Sequence, residues 1–374
     1  MFPALNAKID SFIQDDSERE ISKKIFLGER LTDLEALYLY KNASLDLLSI
    51  LSTFVRERIN AKQTFFNKNF HIEPTNVCVF TCSFCSFSRI LGEEGSWELT
   101  LDDVRKIAVS YKDKEVTEAH IVGGVHPKRD VKYYAELIKT VKKELPKIHI
   151  KAFTAVELEV MFARSKLTIK EGLLELKAAG LDSIPGGGAE IFHPDIRSKI
   201  CRTKATAETW LEIHKTSHNI GIPSNCTMLY GHIENYEHRI DHMRRLRELQ
   251  DSTKGFNCFI PLKYRHENND LSHLAEISEE EDLKNYAIAR LYLDNIPHLK
   301  AYWPMIGKNA ASKSLAFGVD DLDGTIDDST KIYSMAGVED QNPSMSTDEL
   351  ISIIKNSGYL PVERDSIYGI IKNY

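Results

Sequence analysis

Phe70-His71-Ile72-Glu73 alternates apolar and polar residues, and shortly after it comes Cys78-Val79-Phe80-Thr81-Cys82-Ser83-Phe84-Cys85. Alternation of this kind belongs to a strand with one row of side chains on each face. The C-x3-C-x2-C spacing lets the short loop after that strand turn three sulfurs toward one point. A structural zinc site asks for four protein ligands, whereas a cubane iron-sulfur cluster held by three thiolates leaves one iron open. Cys201, Cys226 and Cys258 each stand alone, so no fourth ligand follows, and Cys258 reads as core. Three buried or zinc-binding cysteines are the plainer alternative.

Outward from this loop, the chain settles into a strand-then-helix beat. Strands are expected at 70–73, 119–122, 149–153, 182–184, 225–230, 256–260, 298–302 and 317–319, with helical periodicity in most of the gaps. Alternating elements imply a parallel sheet, and eight strands point to a closed (β/α) barrel of the TIM type. In such a barrel the loops after the strands form the active site, which puts the cysteines at the mouth. Residues 1–64 read as an N-terminal helical cap and 65–345 as the barrel. Residues 346–374 read as a C-terminal helix and tail packed on it.

The totals exclude several classes of protein. Of 374 residues, 42% are apolar and 28% charged, enough for a large core and against disorder. A net charge of -7 gives no footprint for nucleic acid. No apolar run reaches the ~18 residues of a membrane span, and no leader is seen. Six cysteines, three of them clustered, suit a reducing cytoplasm better than a disulfide framework. Nothing in the sequence sets an oligomeric state.

Other strand ends carry candidate ligand contacts. Gly123-Gly124-Val125-His126-Pro127 is either a tight turn or a place where backbone meets a ligand. His126 beyond it is a candidate acid, base or hydrogen-bonder. Glu157 is positioned to accept from ribose hydroxyls, or to sit in the first turn of a helix where the dipole favours an acid. Gly186-Gly187-Gly188-Ala189-Glu190 is too entropically costly for a merely structural loop. Arg197, Lys199 and Arg202 offer partners for carboxylates, Arg197 through its planar fork. The fifth strand ends in Thr227-Met228-Leu229-Tyr230-Gly231-His232-Ile233-Glu234, and the sixth in the apolar stretch around Ile260.

The cysteine spacing, with Phe84 before the last thiol, resembles the motif of the radical S-adenosylmethionine (SAM) superfamily. That resemblance implies a [4Fe-4S] cluster on Cys78, Cys82 and Cys85, whose open iron chelates SAM. It places Phe84, Gly123, Gly124, Glu157, Glu190, Thr227, Gly231 and Ile260 around the cofactor. The Thr227–Glu234 run is similar to the superfamily's G-x-I-x-G-x-x-E segment against adenine, with Thr227 for the first glycine and Leu229 for the isoleucine. His71-Ile72-Glu73-Pro74-Thr75-Asn76, Gly186-Gly187-Gly188-Ala189-Glu190-Ile191 and Asp320-Asp321-Leu322-Asp323-Gly324-Thr325 resemble one branch of the superfamily. It comprises the aminofutalosine synthases, the dehypoxanthine futalosine cyclases and the deazaflavin synthases. The last of these phrases, with Lys151–Glu157, lies nearest to the synthases.

The reaction so implied belongs to the futalosine route to menaquinone. The 5′-deoxyadenosyl radical adds to the enol-ether double bond of 3-[(1-carboxyvinyl)oxy]benzoate. Attack on the ring, rearrangement and loss of the carboxyl group as carbon dioxide or bicarbonate give 6-amino-6-deoxyfutalosine, with methionine released. His126, Arg197 and His232 are the candidate partners of the substrate's carboxylates, and a flavodoxin- or ferredoxin-type protein is the expected reductant. The alternatives are the cyclase or a deazaflavin-synthase-like enzyme. Outside that group stand an iron-sulfur electron carrier or redox sensor and a zinc-stabilised binding module.

Overall fold

A computed structural model describes residues 11–325, 331, 334–338 and 344–374. Its centre is a ring of parallel strands. β1 (Gln63–Ile72) pairs with β2 (Glu118–Ile121), and β2 with β3 (His149–Ala152). From β3 the pairing passes through single bridges, Lys151 to Ser183 and Ile184 to Ser224. It continues through β4 (Ser224–Tyr230), β5 (Phe256–Lys263) and β6 (His298–Leu299). Lys300 bridges to Asp321, and β7 (Asp321–Thr325) returns to β1 at Phe65. Seven strands and the short 182–184 segment therefore close a barrel, as the strand-helix beat requires.

The last strand of that ring differs from expectation. Residues 315–317 form a 3-10 turn instead, and Gly318, at φ 90°, packs against Arg290 and Ser52. The strand begins at Asp321, where buried acids hide it from a hydrophobicity reading. Asp321 is held by Arg364, and Asp323 by Lys300. The expected strand at 298–302 is likewise only His298–Leu299, because a short helix, Trp303–Ile306, follows at once.

Helices α1 (Asp16–Leu27), α2 (Asp33–Asn42) and α3 (Leu45–Asn60) precede the barrel. Thr32 and Glu35 form a reciprocal capping box, and Ser44 caps α3. Leu47, Leu48 and Leu51 are fully buried along one stripe of α3, each contributing ~1.5–3 kcal/mol. Arg56, also buried, donates to the carbonyls of Val319 (2.7 Å) and Gln63 (2.9 Å), tying α3 to the start of the barrel. At the other end of the chain, the helix Thr347–Asn356 leads into β8 (Leu360–Arg364). β8 pairs with the first half of β1, below β2, and β9 (Ile370–Asn373) folds back on β8.

Parallel strands buried on both faces are normally near-continuous apolar runs. Here the inward row is polar. His71, His120 and Lys151 sit in register across β1, β2 and β3, with Glu118 two residues before His120. Of that row Glu118, His120 and Lys151 line the floor of a hollow.

Candidate active site

A cavity of about 280 Å³ opens at the carboxyl ends of the strands. Cys78, Cys82 and Cys85 line one wall, all with free thiols. Their loop is pinned at three points. Cys78 N donates to Arg89 O (2.9 Å), Val79 N to Val125 O (2.9 Å) and Ser83 N to Ile200 O (2.9 Å). Burial raises the Cys78 thiol and pushes Cys82 up to about 12, so binding metal must displace their protons.

The donor set fits a three-thiolate cluster. Among the described residues no three His, Cys, Asp or Glu side chains, these thiols included, converge as a single metal ion would need. Cys226 and Cys258 lie in the core, and Cys201 is buried outside the cavity wall. A cluster held by these thiolates would face the hollow from this wall and keep one iron open.

Glycines bring backbone to the edge of the same hollow. A Cβ at Gly124 would lie 2.4 Å from Val77 O, and one at Gly186 2.6 Å from Cys226 Cα. Neither position leaves room for a side chain. Gly123, Gly124 and the Gly186-Gly187-Gly188 run all line the cavity. Gly123 N donates to Glu157 (3.2 Å), which also accepts from Thr154 N (2.7 Å) and the Thr154 hydroxyl (2.8 Å). Burial lifts Glu157 to about 7 against those hydrogen bonds. Glu157 therefore stands behind the wall and orients Gly123; it does not itself line the cavity.

Of the other expected cofactor contacts, Phe84, Glu190, Thr227 and Ile260 line the cavity and Gly231 does not. Thr227 donates to Gly186 O (2.7 Å), joining two strand ends. Gly231 N is capped by Glu234 (2.7 Å). Glu190, at φ 48°, meets Lys204 at 2.7 Å, and the Lys204 ammonium lies 5.0 Å from the centre of the Phe84 ring. Lys204 went unnoticed in the sequence, since it follows a short helix and sits on no strand end. The nearby acid raises its pKa, so it stays a cation.

The three expected carboxylate partners lie elsewhere. Arg197 is buried and spends its guanidinium on the carbonyls of Ala189 (2.6 Å), Ile191 (3.4 Å) and Ala205. It clamps the loops that carry Glu190 and Lys204. His126 meets Glu98 at 2.7 Å and accepts from Lys128 N at 3.1 Å. His232 accepts from Ile233 N (2.7 Å) and donates to Leu229 O (3.2 Å), with a side chain sealed from solvent. None of the three lines the cavity. Strand-end position alone cannot tell an inward side chain from one turned into the loop.

Besides Lys204, cations reach the hollow from the strands and their ends. Lys151 meets Glu118 at 2.6 Å, and Lys300 meets Asp323 at 2.6 Å. Both lysines line the cavity, with His120 beside them.

Residues 72–246 match the family model of the radical SAM superfamily, and 253–373 that of the CofH/MqnC C-terminal region. The chain is 43% identical to the aminodeoxyfutalosine synthase of Thermus thermophilus, over 96% of this chain and 97% of that protein. It is 38% identical to the aminodeoxyfutalosine synthase of Streptomyces coelicolor, over 96% of this chain and 95% of that protein. Among solved structures, methylornithine synthase shares the fold at a TM-score of 0.72 and 17% identity, covering 91% of this chain and 97% of that one.

Proposed function

The chain belongs to the radical SAM superfamily, in the family of the aminodeoxyfutalosine synthases, and on that premise we propose that its cavity is where SAM meets 3-[(1-carboxyvinyl)oxy]benzoate. The activity is that of a radical transferase in the futalosine route to menaquinone, giving 6-amino-6-deoxyfutalosine. A [4Fe-4S] cluster on Cys78, Cys82 and Cys85 would supply the electron that cleaves SAM and frees the adenosyl group to add to the enol ether.

The chain's own residues hold and exclude. Gly123 and Gly124 present backbone to the methionine ammonium of SAM, with Glu157 fixing Gly123 from behind. Lys204 suits a carboxylate of SAM, being the cation that faces both Cys82 and Glu190. Thr227, Leu229 and Ile260 offer a flat, largely apolar wall for adenine. Holding the vinyl carbon against the adenosyl C5′ is the larger task, since proximity and exclusion of water are what a protein adds to radical chemistry. A flavodoxin- or ferredoxin-type protein in the cytoplasm would supply electrons. No helix among the described residues is long and apolar enough to cross a membrane.

The observation that carries this reading is the set of three free thiols on the wall of a cavity at the barrel mouth. Anaerobically reconstituted protein given reductant, SAM and the enol-ether substrate should form a product with the mass of 6-amino-6-deoxyfutalosine. Turnover of dehypoxanthine futalosine in place of the enol ether would overturn the assignment in favour of the cyclase.

A further inference from the structure

We propose that Lys151 and His120, side by side on the cavity floor, receive the carboxylate on the substrate's aromatic ring, a subsite that rests on the function proposed above. The two residues are register partners on β3 and β2, and both line the cavity. An ammonium carries three donors. Among the described residues that of Lys151 has one ion-pair partner, Glu118, at 2.6 Å. The Nε2 atom of His120 is buried and has no hydrogen-bond partner among them. Burial, His71 and Lys151 push His120 down to about 3, so its ring is neutral and free to donate from one nitrogen. An uncommitted buried donor beside a half-committed ammonium is costly unless a ligand completes it.

The other cations of the cavity are already taken. Lys263 is bound to Asp282 (2.7 Å) and to Ile277 O (3.0 Å), and Arg265 to Glu276 (3.1 Å) and Gly337 O (3.2 Å). Lys300 stands between Asp323 (2.6 Å) and Asp321 (3.7 Å), and Lys204 serves the thiol wall through Glu190. The substrate has its own polarity to match this. Its vinyl carbon must be held at the thiol side, and the carboxylate on the same unit stays near it. The ring carboxylate is the remote end, and Lys151 and His120 lie in the strand bodies beneath the loops.

A buried polar receptor discriminates strongly against a ligand that lacks its partner group. The test compares kcat/KM for the full substrate and for 2-phenoxyacrylate, which lacks only the ring carboxylate. Wild-type enzyme should favour the full substrate by roughly 10- to 100-fold, the worth of one charge-assisted pairing. In Lys151→Met/Glu118→Gln, which removes both members of the buried pair, that preference should collapse. Equal losses on both substrates, or an undiminished preference, overturn the subsite. His120→Leu reads the same difference should the double variant fail to fold, folding being checked by circular dichroism and cluster absorption. If wild-type enzyme cleaves SAM yet converts neither compound, the function itself falls and the subsite with it. If it converts the full substrate while the variants keep the preference, only the subsite falls.

Discussion

Replacing Cys82 by alanine removes one thiol from a loop held by backbone hydrogen bonds to Arg89, Val125 and Ile200. Cluster absorption and SAM cleavage should be lost in Cys82→Ala while the far-ultraviolet circular dichroism of the barrel persists; global unfolding would show that the thiol props the fold instead of serving as a ligand. Gly124→Ala acts differently, because its Cβ would fall 2.4 Å from Val77 O on the main chain. Backbone must move, and about 1–3 kcal/mol of stability should be lost in urea titration. Glu157 makes a pH prediction. Its folded value of about 7 lies above the ordinary 4.5, so the stability it lends is fully present below 4.5 and is lost as pH rises through 7. Glu157→Gln removes that dependence. The wild-type stability, taken relative to the variant, should fall by up to about 3 kcal/mol between pH 4.5 and pH 7. At this scale the thiols and the glycine runs were legible, because spacing and backbone cost are written in the sequence. Lys151 and His120 were not: alternation shows that a strand has two rows, and only closure of the barrel shows which row faces the hollow.

Between elements, the seam of β6 and β7 is held by charge rather than by apolar area. Asp320 accepts from Leu299 N (2.7 Å), meets His298 at 2.6 Å and pairs with Arg290, all of them buried. Arg290→Met should destabilise the fold by about 3–5 kcal/mol, since it takes the guanidinium from a buried carboxylate. Arg290→Met/Asp320→Asn should recover part of that loss, as read by thermal unfolding. This chemistry also explains why the sequence placed the last barrel strand too early. Residues 317–319 are the more apolar run, yet the ladder forms at Asp321–Thr325, whose acids are neutralised by Lys300 and Arg364 from elsewhere in the chain. Helix caps, by contrast, are local, and Thr32, Ser44, Thr168, Ser278 and Ser346 each cap a helix by accepting from the backbone N–H three residues on.

Across the whole molecule, one closed barrel sets thiols on its rim and paired charges on its floor, with a hollow of about 280 Å³ between them. The rim favours a metal cluster with a vacant corner, and the floor favours an anion. The strand-helix rhythm carried that architecture in the sequence; the polar floor emerged from the register of β1, β2 and β3. Electron paramagnetic resonance of the anaerobically reconstituted, dithionite-reduced protein, recorded with and without SAM, tests the central claim most directly. A reduced [4Fe-4S] signal that changes when SAM is added, and that is missing in Cys82→Ala, is the predicted result. A signal indifferent to SAM, or a colourless protein that binds zinc instead, would contradict it.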